Sequence, residues 1–362
     1  MIGVNVACAS TSGDVPHDVA AEAREYLLTS SRAPSVRESI AAEPRLVWRA
    51  NVGRGVKGLP AVTSRVTLVA TTDRWVYALD TRTGEMFWRR RGDGAYGVGP
   101  VVGGGRVFVA SEGTGGRVTA LRLADGRRMW QTSVGDVSAP LVLRDSVLYG
   151  VTDDGIAFAI ARTDGRVLWK RTAGPSRSGP VVTASFVAIS TLRDTLIVLD
   201  RITGTAVSAS RLPSATAAPG ALMDDTTLVL TSPRGAIHAI QIPSGEVRWS
   251  VETGEPVPGG AVAHGDTVFA LGASCTLFRV RRHAPTSLER TMVSDCITTA
   301  TPLVTRDGVL VATLSGVLMY ISRATGVRIW IQRIGSALRH PPVVVDRQII
   351  LATLDGEVFA FR

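Results

Sequence analysis

Short apolar runs and glycine- or polar-rich turns alternate along most of the chain, and the pattern repeats at roughly 40 residues. Within one unit a proline precedes a brief apolar stretch such as Val101-Val102, and a turn leads to a longer run such as Val107-Phe108-Val109-Ala110. A tight turn follows, often Asp-Gly or a relative of it, at Asp154-Gly155, Arg234-Gly235, Ser315-Gly316 and Asp355-Gly356. Glycine there supplies the positive φ that a two-residue hairpin needs. A third run such as Tyr77-Ala78-Leu79 then ends in a Thr-Gly or Asp-Gly turn, and the last strand carries a tryptophan. Four short strands per unit, with no helical periodicity between them, predict an all-β array of propeller blades.

Two markers share this period. Glycine stands four residues before the tryptophan position at Gly84, Gly126, Gly165, Gly204, Gly245 and Gly326, and it is predicted to take positive φ in the turn between third and fourth strands. Proline opens the unit at Pro60, Pro100, Pro140, Pro180, Pro302 and Pro342. The tryptophan register falls at Trp48, Trp88, Trp130, Trp169, Ser208, Trp249, about residue 289 and Trp330, which gives eight units. The last unit stops after its third strand at Arg362, while an isolated strand, Arg45 to Val52, precedes the first. That strand is therefore expected to complete the last blade, so that no sheet edge is left between the first and last units. The expected organisation is an N-terminal arm over residues 1–44, with one short amphipathic helix from Val19 to Leu28, and an eight-bladed propeller over residues 45–362.

The unit from Leu277 to Glu289 has neither the Thr-Gly turn nor the tryptophan, and Cys275 and Cys296 lie on either side of it. It reads either as a blade remodelled to present a partner surface or as a degenerate repeat in which a crosslink offsets lost packing. Cys275 belongs to the hairpin between second and third strands, and Cys296 follows the fourth. Both connections can share one face, within the roughly 4.4–6.8 Å Cα separation of a disulfide. Such a bond implies an oxidising compartment; two free buried thiols imply a reducing one.

Composition changes this picture little. Hydrophobic residues make up 45% and charged residues 20% of the 362 positions, which excludes a disordered chain. No apolar run approaches the ~18 residues of a membrane helix. The net charge is +9, and Lys57 and Lys170 are the only lysines among 40 basic residues. Arg89-Arg90-Arg91 is the one dense basic run, so the charge lacks the concentration of a nucleic-acid face, and no nucleic-acid partner is expected. An acidic protein or an anionic membrane surface is compatible with it.

Candidate chemistry is sparse. His17, His238, His264, His283 and His340 show no metal spacing, and His238 takes a strand position filled elsewhere by Tyr77 and by Tyr320 beside Met319, so it reads as packing. Gly103-Gly104-Gly105 and the glycines from Gly113 to Gly116 lie in hairpin turns, away from the helix N-terminus that phosphate loops use. Neither a calcium loop nor a nucleophile elbow appears. No enzyme activity, metal or cofactor is expected.

The stretch Val76-Tyr77-Ala78-Leu79-Asp80 through Thr83-Gly84 to Trp88 resembles the repeat of pyrroloquinoline-quinone-type propellers, and the resemblance extends over residues 45–362. It implies that Trp48, Trp88, Trp130, Trp169, Trp249 and Trp330 dock neighbouring blades. Trp75, in a hairpin turn outside that register, is then a partner-contact candidate together with Arg89, Arg90 and Arg91. Within the family, quinoprotein dehydrogenases are longer and rely on an adjacent cysteine pair, acidic calcium ligands and a catalytic aspartate. Here the cysteines stand at positions 8, 275 and 296, and no haem motif is present. The chain is more similar to the BamB-type lipoproteins of outer-membrane β-barrel assembly, single eight-bladed propellers of about this length whose closing strand resembles Asp355 to Arg362. In those proteins a short arm follows a lipidated cysteine. Val6-Ala7-Cys8-Ala9-Ser10 resembles such a site, although only seven residues precede Cys8 and Asn5 departs from the lipobox. Either the true start lies upstream and Cys8 anchors the protein in a membrane, or Cys8 is an ordinary free cysteine. The resemblance implies a non-catalytic scaffold in the periplasm or cell envelope that contacts a membrane-embedded protein complex and supports assembly of outer-membrane β-barrel proteins. The alternatives are an accessory subunit of another membrane complex or a quinoprotein-type dehydrogenase.

Overall fold

A computed structural model describes residues 40, 43–113, 115–214, 218, 220–294 and 296–362. Cys8, His17, the 19–28 helix and all but Ile40, Glu43 and Pro44 of the 1–44 arm lie outside the described residues. Those that are described form eight four-stranded antiparallel sheets arranged as an eight-bladed β-propeller. Blade 1 comprises Ala61–Val62, Val66–Ala70, Trp75–Asp80 and Met86–Arg91. Six blades repeat this order to Arg333. Blade 8 takes Val343–Val345, Gln348–Ala352 and Glu357–Phe361 from the C-terminal end and Leu46–Asn51 from the N-terminal end.

The closing strand runs antiparallel to Glu357–Phe361, with Trp48 opposite Ala360 and Asn51 opposite Glu357. Backbone bonds between Arg45 and Arg362 extend the ladder in both directions. Innermost strands touch the innermost strands of neighbouring blades and so surround the axis. Each blade's middle strands are covered by a blade on either side, which is why Val66–Ala70 is buried throughout. The outermost strand of blade 1, Met86–Arg91, buries only Trp88.

A β-bulge sets that docked residue. Between third and fourth strands the register shifts just before each tryptophan: Ala78 pairs with Trp88 while Leu79 pairs with Met86, and Phe87 is left over. The same shift isolates Met129, Leu168, Val207 and Ile329, and Val47 in the closing strand. A bulge re-aims the side chain beside it. Here it turns the tryptophan into the next blade and its predecessor outward.

The structure corrects two details of the sequence reading. Trp75 is the first residue of the third strand of blade 1, paired with Arg91, and not a turn residue; an aromatic at that point extends the ladder. Tyr320 faces Trp330 as Ala78 faces Trp88, so Met319 is the true counterpart of His238.

Candidate functional site

The residue just after each third strand is the node between blades. Its carbonyl accepts the indole N–H of the preceding blade: Trp48 donates to Thr81 (2.9 Å), Trp88 to Leu123 (2.8 Å), Trp130 to Arg162 (3.0 Å) and Trp169 to Arg201 (3.1 Å). The six repeat glycines have φ between 68° and 77°. Four of them also lie under a neighbouring indole: a Cβ on Gly165 would stand 2.5 Å from Cε3 of Trp130, and Gly84, Gly126 and Gly204 meet Trp48, Trp88 and Trp169 equally closely. Gly245 and Gly326 face Ser210 and Thr291, where the preceding blade has no tryptophan. Trp249 is half-buried among Val257, Val268 and Phe278. Trp330 is buried against Tyr320 at 5.4 Å, and its indole N–H has no acceptor among the described residues.

Blade 6 replaces its tryptophan with ions. Glu289 stands in the tryptophan register opposite Arg279, and the two side chains pair at 3.3 Å. Arg279 Nη1 donates to the Arg323 carbonyl at 3.0 Å, taking the role of the missing indole N–H. The bulge here spans three residues, because Val280 pairs with Leu288 and Arg281 with Ala284. Cys275 (φ 60°) occupies the left-handed corner of the 2–3 turn, which other blades give to Gly155, Gly235, Gly316 and Gly356. It is joined to Cys296 by a disulfide with Cα atoms 5.6 Å apart. The crosslink ties this strained turn to the segment leading into blade 7. Thiol titration of the denatured, unreduced protein is expected to find no more than one reactive thiol, that of Cys8. Three thiols would refute the bond. Reduction is expected to cost on the order of 3 kcal/mol of stability.

On the rim of blade 1, the Arg89 guanidinium lies 5.0 Å from the centroid of the Trp75 ring, which is 6.3 Å from Tyr77. Arg90 donates to the Asp125 carbonyl of blade 2 and thus serves the ring's own cohesion. Arg91 extends the pairing opposite Trp75. Trp75, Arg89, Arg90 and Arg91 are therefore brought together at one outer edge, with Trp75 half-covered by Arg89.

A larger feature of the rim escaped the sequence reading. The bulge residues Val47 (46% exposed), Met129 (46%), Leu168 (38%), Val207 (47%) and Ile329 (46%) place an exposed apolar side chain on most blades. Two residues beyond Val47 and Leu168, Arg49 and Lys170 lie opposite Phe359 and Phe158. Arg89 and Arg290 hold the same position in blades 1 and 6, whereas Gln131, Ala209 and Ile331 follow Met129, Val207 and Ile329. The circumference thus carries a row of exposed apolar side chains with a cation beside two of them, chemistry suited to another protein's surface. Its signal was the apolar residue before the positions of Trp48, Trp130, Trp169, Ser208 and Trp330.

The histidines set an acid limit on the ring. His238 is buried between Ser214 (3.1 Å) and Ser250 (2.8 Å), and burial holds its imidazole below the ordinary histidine value despite Glu252 nearby. Burial likewise depresses His340, whose ring contacts the Lys57 carbonyl. A depressed folded value means that this stability is complete above the unfolded value of about 6.5 and is lost as pH falls below it. The melting temperature is expected to be level near neutrality and to decline below about pH 6.5, with a shallower decline in His238→Gln. A profile that stays level through that window, or an unchanged slope in the variant, would contradict this.

Comparison with known proteins agrees with the geometry. A family profile described as "Outer membrane protein assembly factor BamB" matches residues 9–210, 194–283 and 282–362. The BamB of Moranella endobia is 24% identical over 385 aligned positions, covering 93% of this chain and 94% of that protein. Other curated relatives of that name align more briefly, and the chain covers 29% of the length of the Marinobacter adhaerens protein and 44% of that from Yersinia pestis. The crystal structure of BamB from Moraxella catarrhalis superposes with a TM-score of 0.74 at 16% identity, covering 88% of this chain and 100% of that one. The quinohemoprotein alcohol dehydrogenase of Comamonas testosteroni gives 0.71 at 14% identity over 91% of this chain and 78% of its own, a likeness of fold alone. With the profile spanning nearly the whole propeller, the chain belongs to the family of the outer membrane protein assembly factor BamB.

Proposed function

We propose that this protein is a non-catalytic scaffold of the cell envelope that supports assembly of outer-membrane β-barrel proteins by contacting a membrane-embedded complex. The family match over residues 9–362 carries this reading. The apolar row, with Arg49 and Lys170 beside two of its members, supplies a surface for the contact, and the disulfide suits an oxidising compartment. A lipid anchor at Cys8 would hold the ring beside such a complex.

Quinone-dependent oxidation is the weaker reading. Among the described residues no group of three His, Cys, Asp or Glu side chains is placed to hold a metal ion. The cysteine pair is 21 residues apart in sequence, unlike the adjacent pair of the dehydrogenases. The residues therefore do not fit a calcium-bound quinone, and no step is assigned to one.

The test is affinity purification of the tagged protein from detergent-solubilised membranes. A β-barrel membrane protein of the assembly type is expected to co-purify, and removing the protein is expected to lower the abundance of outer-membrane β-barrel proteins. Met129→Asp combined with Leu168→Asp is expected to reduce capture at least tenfold, a loss of about 1.4 kcal/mol. Because both side chains are exposed, the melting temperature should stay the same. Recovery of the protein without any membrane partner, and unaltered β-barrel levels, would overturn the reading.

A further inference from the structure

On the face that carries the 1–2 turns, arginines of blades 2, 3 and 4 gather around two adjoining turns. Arg106 donates from Nη1 to the Gly104 carbonyl at 3.2 Å. The Arg162 guanidinium lies over Gly104, where a Cβ would stand 2.9 Å from its Cζ, and its Nη1 donates to the Asp145 carbonyl at 3.2 Å. Arg201 reaches back from blade 4 to the Asp145 carboxylate at 2.8 Å. Arg144 leans the other way, donating to the Val182 carbonyl at 3.1 Å. The nearby Asp200 caps its own turn through the amides of Ile202 and Thr203. Of the four guanidiniums only that of Arg201 pairs with a carboxylate among the described residues; the other three bond to backbone carbonyls.

Two further observations point to a missing acceptor. The Nε–H groups of Arg106, Arg162 and Arg201 are all buried and have no hydrogen-bond partner among the described residues. Buried donors left unpaired are costly, and three in one corner are rarely tolerated without a partner to draw them out. Gly104 (φ 59°) also leaves the turn without a side chain, so the Arg162 fork lies directly against the backbone. Arginine forks match the paired oxygens of phosphate and carboxylate, and phosphate offers an acceptor to each of several forks at once.

We propose that Arg106, Arg144, Arg162 and Arg201, with the glycine turn at Gly104, form a binding site for a phosphate group at the axial end of blades 2–4. The phosphate belongs to a dissolved phosphate compound or to a phospholipid headgroup, which share this chemistry. On binding, the guanidiniums turn outward, the buried Nε–H groups gain acceptors, and the ligand competes with the Asp145 carboxylate for Arg201.

The experiment is calorimetric titration of the full chain with inorganic phosphate, at constant ionic strength maintained with chloride. Saturable binding to one site is expected. Arg106→Gln is expected to weaken it about tenfold. Asp145→Asn is expected to strengthen it about tenfold, because it removes the competing charge and asparagine tolerates the left-handed backbone of residue 145 (φ 53°). Arg82→Gln, on an exposed turn of blade 1, should leave the affinity unaltered. A parallel arm measures co-sedimentation with phosphatidic acid vesicles against phosphatidylcholine vesicles. Binding in either arm that is lost with Arg106→Gln and enhanced by Asp145→Asn supports the site and identifies its source. Absence of saturable binding in both arms overturns it. So does weakening by Asp145→Asn, since the carboxylate would then be part of a purely structural clasp. If Arg106→Gln misfolds, the gain expected from Asp145→Asn decides alone.

Discussion

Deleting residues 1–52 is expected to lower the unfolding temperature sharply and to promote association between molecules. The deletion removes the outer strand of blade 8 and leaves Glu357–Phe361 as an unpaired edge, a template for another chain. It also removes Trp48, which is 7% exposed and joins blade 8 to blade 1 through Gly84 and the Thr81 carbonyl. Trp48→Ala isolates that part of the effect and is expected to cost about 3–5 kcal/mol. Denaturant unfolding of both variants checks it. An unaltered midpoint after the deletion would show that the ring does not depend on its closing strand.

The second large effect belongs to the repeat glycines. Gly165→Val should destabilise by about 2–5 kcal/mol, combining left-handed backbone strain with collision against the Trp130 ring. Gly335 provides the control: its φ is 84°, yet a Cβ there would meet nothing within 4 Å. Gly335→Ala should therefore lose only the backbone part, about 1–2 kcal/mol, whereas Gly165→Ala loses more. Equal losses in the two alanine variants would mean that the glycines answer only to turn geometry and that the indole contact is incidental.

These glycines show what the sequence could and could not reveal. Their spacing to the tryptophan was visible because both residues belong to one hairpin, so the register of the blades followed from local pattern. That each glycine also serves the tryptophan of the blade before it was hidden, because this contact crosses from one repeat to the next. Cross-repeat contacts account for the other omissions too. Nothing in the spacing indicated that Arg279 would take over the indole's hydrogen bond to residue 323, or that Arg201 would reach Asp145 of the preceding blade. The apolar residue before Trp48, Trp130, Trp169 and Trp330 was in plain view. Its exposure was not, because only the bulge decides which way it turns. Trp75 was misplaced by one element for a simple reason: turn and strand meet at Arg74, whose left-handed φ of 75° a sequence reading assigns to glycine.

The closing strand also has a meaning in time. Arg49 and Glu357, paired across blade 8, stand 308 residues apart, whereas the hairpins of every other blade join residues close in sequence. Seven blades can therefore form one after another as the chain emerges, each from local contacts that are fast to make. The eighth has to wait for the last residues. Until then the first strand has no partner and the nascent propeller is an open arc with a bare edge at its end. Ring closure is then the step with the greatest sequence separation, and it is expected to limit the rate of maturation. A circular permutant that places Leu46–Asn51 after Phe361 makes the last blade as local as the others, and its refolding rate should rise accordingly.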